Sequence, residues 1–215
     1  MKAAAEFVVS AAGAGDFPRD RLPEVALVGR SNVGKSSLIN ALVKRTIART
    51  SAAPGKTRLA NYYRVQPAAG RPFYLVDLPG YGYARGVRAG GARPAGEDAA
   101  GFRRLAEEFF DPRRRGAAEG GAGKGMAALL LVDARHPGLE ADLAAWEWLQ
   151  AQPVPAAVVA TKVDKLTRAE RARHSRQLDS LFDVPVRLVS VRTGEGLEEL
   201  WKLIVRLPSP PATAA

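Results

Sequence analysis

Short apolar segments alternate along this chain with longer stretches in which apolar residues recur at helical spacing. The apolar segments have the length and β-branched content of strands buried on both faces, as in residues 25–28. Strands are predicted at residues 7–10, 24–28, 62–65, 72–77, 126–133, 155–161 and 185–190. Helices are predicted at residues 36–44, 99–110, 139–150, 168–182 and 196–207. Alternating strands and helices predict an α/β fold, with a doubly wound, mostly parallel sheet and helices on both faces.

The ends of these elements carry further signals. Thr167, followed three residues later by Glu170, predicts a capping box at the start of the fourth helix. Residues 85–97 and 113–125 are rich in Gly, Ala and Arg, and we predict surface loops there. A length of 215 residues favours one domain at 1–207, with its core at about 24–205 and a disordered Pro-rich tail at 208–215.

Composition narrows the classes of function. The chain has no cysteine, which excludes disulfides and thiolate metal sites, and its two histidines show no ligand spacing. No apolar run reaches the roughly 20 residues that cross a bilayer, and the N-terminal segment does not resemble a secretory signal, so we expect a cytoplasmic protein. A net charge of +10 indicates an acidic partner, with nucleic acid or the ribosome ahead of a membrane surface. A basic surface that serves only solubility remains the alternative.

The strongest motif lies between the second predicted strand and the first predicted helix. It matches the phosphate-binding loop pattern in full: Gly29, Arg30, Ser31, Asn32, Val33, Gly34, Lys35 and Ser36. In such a loop, backbone N–H groups and the helix N-terminus surround the phosphates. Lys35 is then placed to reach the β- and γ-phosphates as a catalytic residue, and the hydroxyl of Ser36 to bind Mg²⁺.

A second motif indicates which base is bound. Thr161, Lys162, Val163 and Asp164 follow the sixth predicted strand, where the Asp164 carboxylate can accept hydrogen bonds from N1–H and the exocyclic amine of guanine. Lys162 would lie along the plane of the base. Val189, Ser190 and Val191, at the end of the next strand, would donate backbone N–H to the guanine O6.

Two further segments are predicted to sense the γ-phosphate. Asp77, Leu78, Pro79 and Gly80 end an apolar strand, so that Asp77 would bind Mg²⁺ through water and Gly80 N–H would meet the γ-phosphate. The polar stretch Gly55, Lys56, Thr57, Arg58 and Leu59 offers Thr57 as the second hydroxyl on Mg²⁺. We count Lys35, Thr57 and Gly80 as the catalytic residues. Because such segments order around the γ-phosphate and relax after hydrolysis, the predicted output is a GTP-dependent switch.

With these motifs in place, the chain resembles the bacterial EngB family of ribosome-biogenesis GTPases, within the translation-factor-related class. The resemblance lies in GRSNVGKSS at 29–37, ARTSAAPGKTRL at 48–59, DLPGYGYA at 77–84, DARHP at 133–137 and TKVDKL at 161–166. It implies a P-loop GTPase fold and a Mg²⁺-dependent GTPase needed for assembly of the large ribosomal subunit and linked to cell division and septation. The Gly- and Arg-rich segments 85–97 and 113–125 look longer than the family pattern, which leaves partner contacts there open. We expect a monomer.

Two residues bear on how fast GTP is hydrolysed. Many switch GTPases place a water-orienting Gln after the DxxG glycine, but Tyr81 stands there and cannot perform that task. We therefore expect slow intrinsic turnover that a partner or a monovalent cation increases. Asn32 resembles an asparagine that holds K⁺ against the phosphates in some relatives; the alternative is that it only contacts the nucleotide.

Other readings stay open at this point. A GTPase acting at a membrane surface would use the same basic charge on lipid, although the sequence has no amphipathic anchor or lipidation signal. A P-loop kinase would share the phosphate loop, but the DxxG and TKxD motifs argue against it. Five basic residues surround the first switch and could meet RNA: Lys44, Arg45, Arg49, Lys56 and Arg58. His136, in DARHP, is expected to belong to a structural turn rather than to act in catalysis.

Overall fold

The computed structural model describes residues 3–49, 59–81, 96–111, 113 and 125–208, with the backbone alone at 96–100. The strands are β1 (Ala3–Ala11), β2 (Glu24–Gly29), β3 (Ala60–Pro67), β4 (Phe73–Asp77), β5 (Met126–Asp133), β6 (Ala156–Thr161) and β7 (Arg187–Leu188). The helices are α1 (Lys35–Val43), α2 (Gly96–Phe110), α3 (Glu140–Gln150), α4 (Arg168–Phe182) and α5 (Leu197–Arg206).

The strands form a seven-stranded sheet in the order β1-β3-β4-β2-β5-β6-β7. β4, β2, β5, β6 and β7 pair in parallel, whereas β1 and β4 both pair antiparallel with β3. The predicted α/β fold with a mostly parallel sheet is confirmed. Because β2, β4, β5 and β6 run the same way, their carboxyl ends meet at one edge, where open α/β sheets bind ligands.

Two apolar clusters cover the two faces of this sheet. On one face, Leu105 and Phe109 of α2 pack with Leu149 of α3 and Phe182 of α4. On the other face, the helices that contribute buried side chains to the cluster are α1 and α5. β2 serves both clusters, since its side chains alternate between them and all six of its residues are buried. The central strand that leads into the phosphate loop is therefore fixed from both sides.

Several predicted boundaries were wrong. β1 extends beyond 7–10 because the weakly strand-forming residues 3–6 are held by antiparallel pairing with β3. β7 covers two residues instead of 185–190, because the chain turns at Ser190, whose N–H donates to Glu195 O. α2 begins at Gly96, inside the predicted loop 85–97.

The remaining local predictions fall partly outside the described residues. The capping box is confirmed, with Thr167 Oγ1 accepting from Glu170 N–H and Thr167 N–H donating to the Glu170 carboxylate. Residues 85–95, 114–124 and 209–215 lie outside the described part of the chain. Pro208, which was predicted to open the tail, is buried, and its carbonyl lies against Gly125. Among the helices that the structure describes, none has the length and apolar character needed to span a bilayer.

Candidate guanine nucleotide site

The phosphate loop leaves β2 at Gly29 and enters α1 at Lys35. Gly34, the N-cap of α1, has a φ of 112°, a conformation that strains any residue with a Cβ. Asn32 has a φ of 62°, which asparagine tolerates better than most residues. Gly29 is required for space, since a Cβ there would lie 2.7 Å from Leu131 O on β5. The loop is thus packed against the neighbouring strand and turns at the positions where its sequence allows turning.

Lys35 points back across this loop. Its Nζ donates to Gly29 O at 3.1 Å and to Arg30 O at 3.3 Å, and the residue is 8% exposed. Burial lowers the pKa of Lys35, and the negative charge of Asp77 works against that shift. An ammonium with carbonyl oxygens on one side and a carboxylate nearby is positioned to pair with phosphate oxygens entering the loop.

Ser36 and Asp77 bring the carboxyl end of β4 to the start of α1. Ser36 Oγ donates to Asp77 Oδ2 at 2.6 Å, while Asp77 Oδ1 is buried without a hydrogen-bond partner among the described residues. Burial raises the pKa of Asp77, and the charge of Lys35 and the Ser36 hydrogen bond oppose that rise. A buried, under-satisfied carboxylate oxygen beside a hydroxyl fits Mg²⁺, which takes few protein ligands and keeps water and phosphate for the rest. The described residues contain no cluster of three or more His, Cys, Asp or Glu that would form a separate metal cage.

The DxxG segment lies directly on the phosphate loop. Ser31 N–H donates to Tyr81 O at 3.2 Å, and a Cβ on Gly80 would lie 2.7 Å from Ser31 N. Glycine at position 80 therefore permits this close approach of two backbones. Of this segment, Leu78 is fully buried and its N–H donates to Leu27 O, so its side chain belongs to the core and not to the nucleotide site.

The other half of the predicted γ-phosphate sensor is described only at its borders. Gly55, Lys56, Thr57 and Arg58 lie outside the described residues, and Leu59 is 38% exposed. On the other border, Asn40 of α1 fixes the chain. Its Oδ1 accepts from Ile47 and Ala48 N–H at 2.9 and 2.8 Å, and its Nδ2 donates to Ala48 O at 2.8 Å. No pattern in the sequence indicated these hydrogen bonds of Asn40.

The predicted guanine pocket assembles after β6. Asp164 lies in a 3-10 turn, and Ser190 Oγ donates to its Oδ1 at 2.8 Å, which orients the carboxylate. Val189 N–H donates to Ala160 O and Ser190 N–H to Glu195 O, so these two amides are used within the protein. Of the three residues predicted to supply backbone N–H to guanine O6, this leaves Val191, whose amide has no acceptor among the described residues.

Lys162 connects this pocket to the phosphate loop. Its Nζ donates to Asn32 O at 2.7 Å and to Asp133 Oδ2 at 2.9 Å. Thr161 adds a second connection, from its Oγ1 to Val33 O at 2.7 Å. Burial alone would raise the pKa of Asp133, but hydrogen bonds from Arg135 and Lys162 outweigh it and hold the pKa well below its ordinary value.

Some predicted site residues contribute only through their backbone. Val33 and Val163 are 2% and 1% exposed, with side chains in the two apolar clusters. His136 N–H donates to Asp133 O, as expected for a structural turn.

The Tyr81 hydroxyl donates to Asp142 Oδ1 at 2.9 Å. Tyr81 is thus bonded to α3, and the structure places no glutamine-like group after Gly80.

Sequence reasoning missed three polar residues that support the site: Asp133, Asp142 and the side chain of Ser190. Asp133 had a usable signal, because it is a single acidic residue that ends an apolar strand, where a carboxylate must find partners. Asp142 had none, since an acidic residue in the first turn of a helix is common.

Comparison with known proteins identifies relatives that bind GTP. Residues 24–162 match the model of the 50S ribosome-binding GTPase family. A probable GTP-binding protein EngB from Pelotomaculum thermopropionicum is 43% identical over 207 residues, covering 94% of each chain. That of Heliobacterium modesticaldum is 42% identical over 205 residues, covering 93% of this chain and 90% of the relative.

Solved structures show the same fold. The crystal structure of a probable GTP-binding protein engB has a TM-score of 0.58 at 22% identity and covers 86% of this chain and 98% of that one. Era, solved with MgGDPNP and nucleotides of 16S ribosomal RNA, has a TM-score of 0.66 at 19% identity, covering 90% of this chain and 59% of Era. Family model, relatives and fold agree, and the chain is a P-loop GTPase that belongs to the EngB family of GTP-binding proteins.

Proposed function

We propose that this GTPase is a Mg²⁺-dependent switch that acts in assembly of the large ribosomal subunit and through it supports normal cell division and septation. The observation that carries the switch is the contact of the DxxG segment with the phosphate loop, where Gly80 lies against Ser31. The support for the ribosomal partner is the net charge of +10 together with the match to the 50S ribosome-binding GTPase family.

In the proposed binding step, the loop from Gly29 to Ser36 surrounds the phosphates and Asp164 selects guanine. Lys35 would pair with the β- and γ-phosphates, Ser36 and Thr57 would offer hydroxyls to the metal, and Asp77 would hold it through water. Bound Mg²⁺ would neutralise charge on the β- and γ-phosphate oxygens. In this proposal these residues promote hydrolysis mainly by positioning the phosphates and by stabilising their negative charge, which are the two tasks of a protein in phosphoryl transfer.

In the proposed switching step, Gly80 N–H faces the γ-phosphate and Thr57 closes from the other side. After hydrolysis the γ-phosphate no longer holds either segment, and both relax. Asn40 of α1 holds Ile47 and Ala48 by hydrogen bonds, so we expect the rearrangement on that side to be confined to the chain beyond Ala48. The shape of the protein surface around the phosphates would therefore differ between the GTP-bound and GDP-bound forms.

We infer that K⁺ compensates for the missing water-orienting glutamine, with Asn32 as its protein ligand. Asn32 is exposed at the rim of the phosphate loop, and its carbonyl is fixed by Lys162. We expect single-turnover GTP hydrolysis about tenfold faster in KCl than in NaCl at equal ionic strength, a modest part of what an arginine finger supplies. Asn32→Gly keeps the left-handed backbone while removing the amide, and should make the two rates equal. Equal rates in the wild-type protein would leave Asn32 as a nucleotide contact only.

The proposed ribosomal contact uses the basic surface beside the first switch. Lys44 and Arg49 are exposed there, and Arg45 reaches back to donate to Ala5 O. On α4, Arg168 and Arg176 are also exposed, and α4 packs on the opposite face of the sheet from α1. The two pairs offer charge reversals that are matched in net charge and differ in position.

The test is co-sedimentation with ribosomal subunits, with the protein loaded with GDP or a non-hydrolysable GTP analogue. We expect the GTP form to bind large subunits preferentially, and the binding to weaken steeply between 50 and 200 mM KCl, because phosphate contacts release counterions. Lys44→Glu with Arg49→Glu should reduce binding about 30-fold, at roughly 1 kcal/mol for each of the two lost contacts, whereas Arg168→Glu with Arg176→Glu should have little effect. Binding to anionic vesicles without binding to subunits would instead favour a GTPase at a membrane surface, and absence of subunit binding in both nucleotide states would remove the ribosomal proposal.

A further inference from the structure

Three side chains from three separate elements meet beside the phosphate loop. Arg30 comes from the loop itself, Tyr81 from the residue after Gly80, and Asp142 from the first turn of α3. Tyr81 Oη donates to Asp142 Oδ1 at 2.9 Å, and Arg30 Nε lies 3.3 Å from the same oxygen. Asp142 is 1% exposed and Tyr81 9% exposed, so the carboxylate and the tyrosine are buried, whereas the Arg30 side chain is 30% exposed.

The same two residues, Arg30 and Tyr81, are also joined through their backbones. They form an isolated parallel bridge, in which Ser31 N–H donates to Tyr81 O at 3.2 Å. Arg30 O in turn accepts from Lys35 Nζ at 3.3 Å. The bridge therefore lies between the lysine proposed to pair with the phosphates and the glycine proposed to meet the γ-phosphate.

Asp142 is poorly suited to a role in stability alone. Both of its partners approach Oδ1, and Oδ2 is buried with no hydrogen bond among the described residues. Burial raises the pKa of Asp142, against the hydrogen bond from Tyr81 and the charge of Arg30. A buried carboxylate that is only half satisfied contributes little net stability, and its value to a protein lies in the geometry that it imposes.

Tyr81 is held at both ends of its side chain by two different helices. Its ring packs against Phe102 of α2 with centroids 5.7 Å apart, and its hydroxyl is held by α3. Without the Asp142 contact, the tyrosine would leave a buried hydroxyl unpaired, and the segment that carries Gly80 would lose its fixed distance from Ser31.

We propose that Asp142 is a positioning residue for GTP hydrolysis: by holding Arg30 and Tyr81 on one carboxylate oxygen, it keeps Gly80 against the phosphate loop beside Lys35. It does not touch the nucleotide and acts only through these two residues. The proposal rests on the roles proposed above for Gly80 and Lys35. It also gives Tyr81 a task, which is to fix its own segment rather than to orient water.

The test compares Tyr81→Phe, Asp142→Asn and the double variant with a matched control. Tyr74→Phe is that control. Tyr74 is only 3% exposed, and its Oη also donates to a carboxylate, Asp20 Oδ2, at 2.8 Å. Tyr74 pairs with Glu24 at the start of β2, at the end of the strand away from the phosphate loop. We expect Tyr81→Phe and Asp142→Asn each to lower kcat about tenfold, the rate equivalent of one hydrogen bond. KM for GTP and Kd for GDP should change less than about threefold, and the double variant should lose no more than either single variant.

Three results would overturn this proposal: wild-type kcat in Tyr81→Phe, a double variant whose losses multiply, or an equal loss of kcat in Tyr74→Phe. Melting temperatures measured on the same samples separate loss of folded protein from loss of rate. Tyr81→Phe retains the ring in the core and decides the question even where Asp142→Asn yields no folded protein. If the wild-type protein hydrolyses GTP and Tyr81→Phe has the same kcat, the positioning role is refuted and the proposed GTPase function stands. If the wild-type protein shows no turnover, both proposals are refuted.

Discussion

Asp164→Asn is expected to move base preference from guanine to xanthine, with GTP affinity falling about 10³-fold. In the proposed pocket, the carboxylate of Asp164 would accept two hydrogen bonds from guanine, from N1–H and the exocyclic amine, and charge-assisted bonds of this kind contribute about 1.5–3 kcal/mol each. Asparagine can still accept from N1–H, but its Nδ2 faces the exocyclic amine as a second donor. Xanthine carries an oxygen at that place, which the new amide can donate to.

The measurement is competition of GTP, ATP and xanthosine triphosphate against a fluorescent guanine nucleotide. Ser190→Ala serves as the control, because it removes the 2.8 Å hydrogen bond that orients Asp164 but keeps the carboxylate. It should weaken GTP about tenfold without creating a preference for xanthine. If Asp164→Asn bound GTP as tightly as the wild-type protein does, guanine would have to be recognised elsewhere in the chain.

Gly80→Ala is expected to reduce kcat about 100-fold, the size of effect seen when one donor to a developing charge is lost. A Cβ at this position would lie 2.7 Å from Ser31 N and 2.8 Å from Ser31 Cα, and both are backbone atoms that cannot rotate away. The segment must therefore move off the phosphate loop. Since Gly80 is assigned to the γ-phosphate, GDP should bind within about threefold of its wild-type affinity.

Gly101→Ala in α2 is the matched control, because a Cβ there would have no atom within 4 Å. In a helix interior this change should add stability of about 0.5–1 kcal/mol and leave turnover unchanged. Single-turnover hydrolysis and nucleotide affinity are measured on both variants. Normal turnover in Gly80→Ala would mean that hydrolysis does not depend on the contact between residues 31 and 80.

The phosphate half of the candidate site could be proposed from the sequence because its signals are local. Gly34 and Lys35 are needed at fixed spacing by the backbone turn and by the phosphate charge, and each can be recognised without knowledge of the fold. The central strands were equally clear, since a strand covered on both faces must be apolar throughout, as β5 is.

What the sequence could not predict depends on contacts between distant parts of the chain. Asp142 lies beside the candidate site only because the fold brings α3 into contact with Tyr81, which is 61 residues away in the sequence. The amides of Val189 and Ser190 seemed available for guanine until the fold supplied acceptors at Ala160 and Glu195. Likewise, β1 was underpredicted because pairing with β3 outweighs the low strand preference of its alanines.

The bonds that Lys162 and Thr161 donate to Asn32 O and Val33 O have a consequence for fidelity. They tie the proposed base pocket to the phosphate loop, so the base and the phosphates of a bound nucleotide would be held by segments that are linked to each other. A purine with the wrong edge would tilt against Asp164, and the tilt would carry its phosphates out of register with Lys35 and Gly80. Discrimination between bases would then be expressed twice, once in how long a nucleotide stays and again in whether its terminal phosphate is ever cleaved.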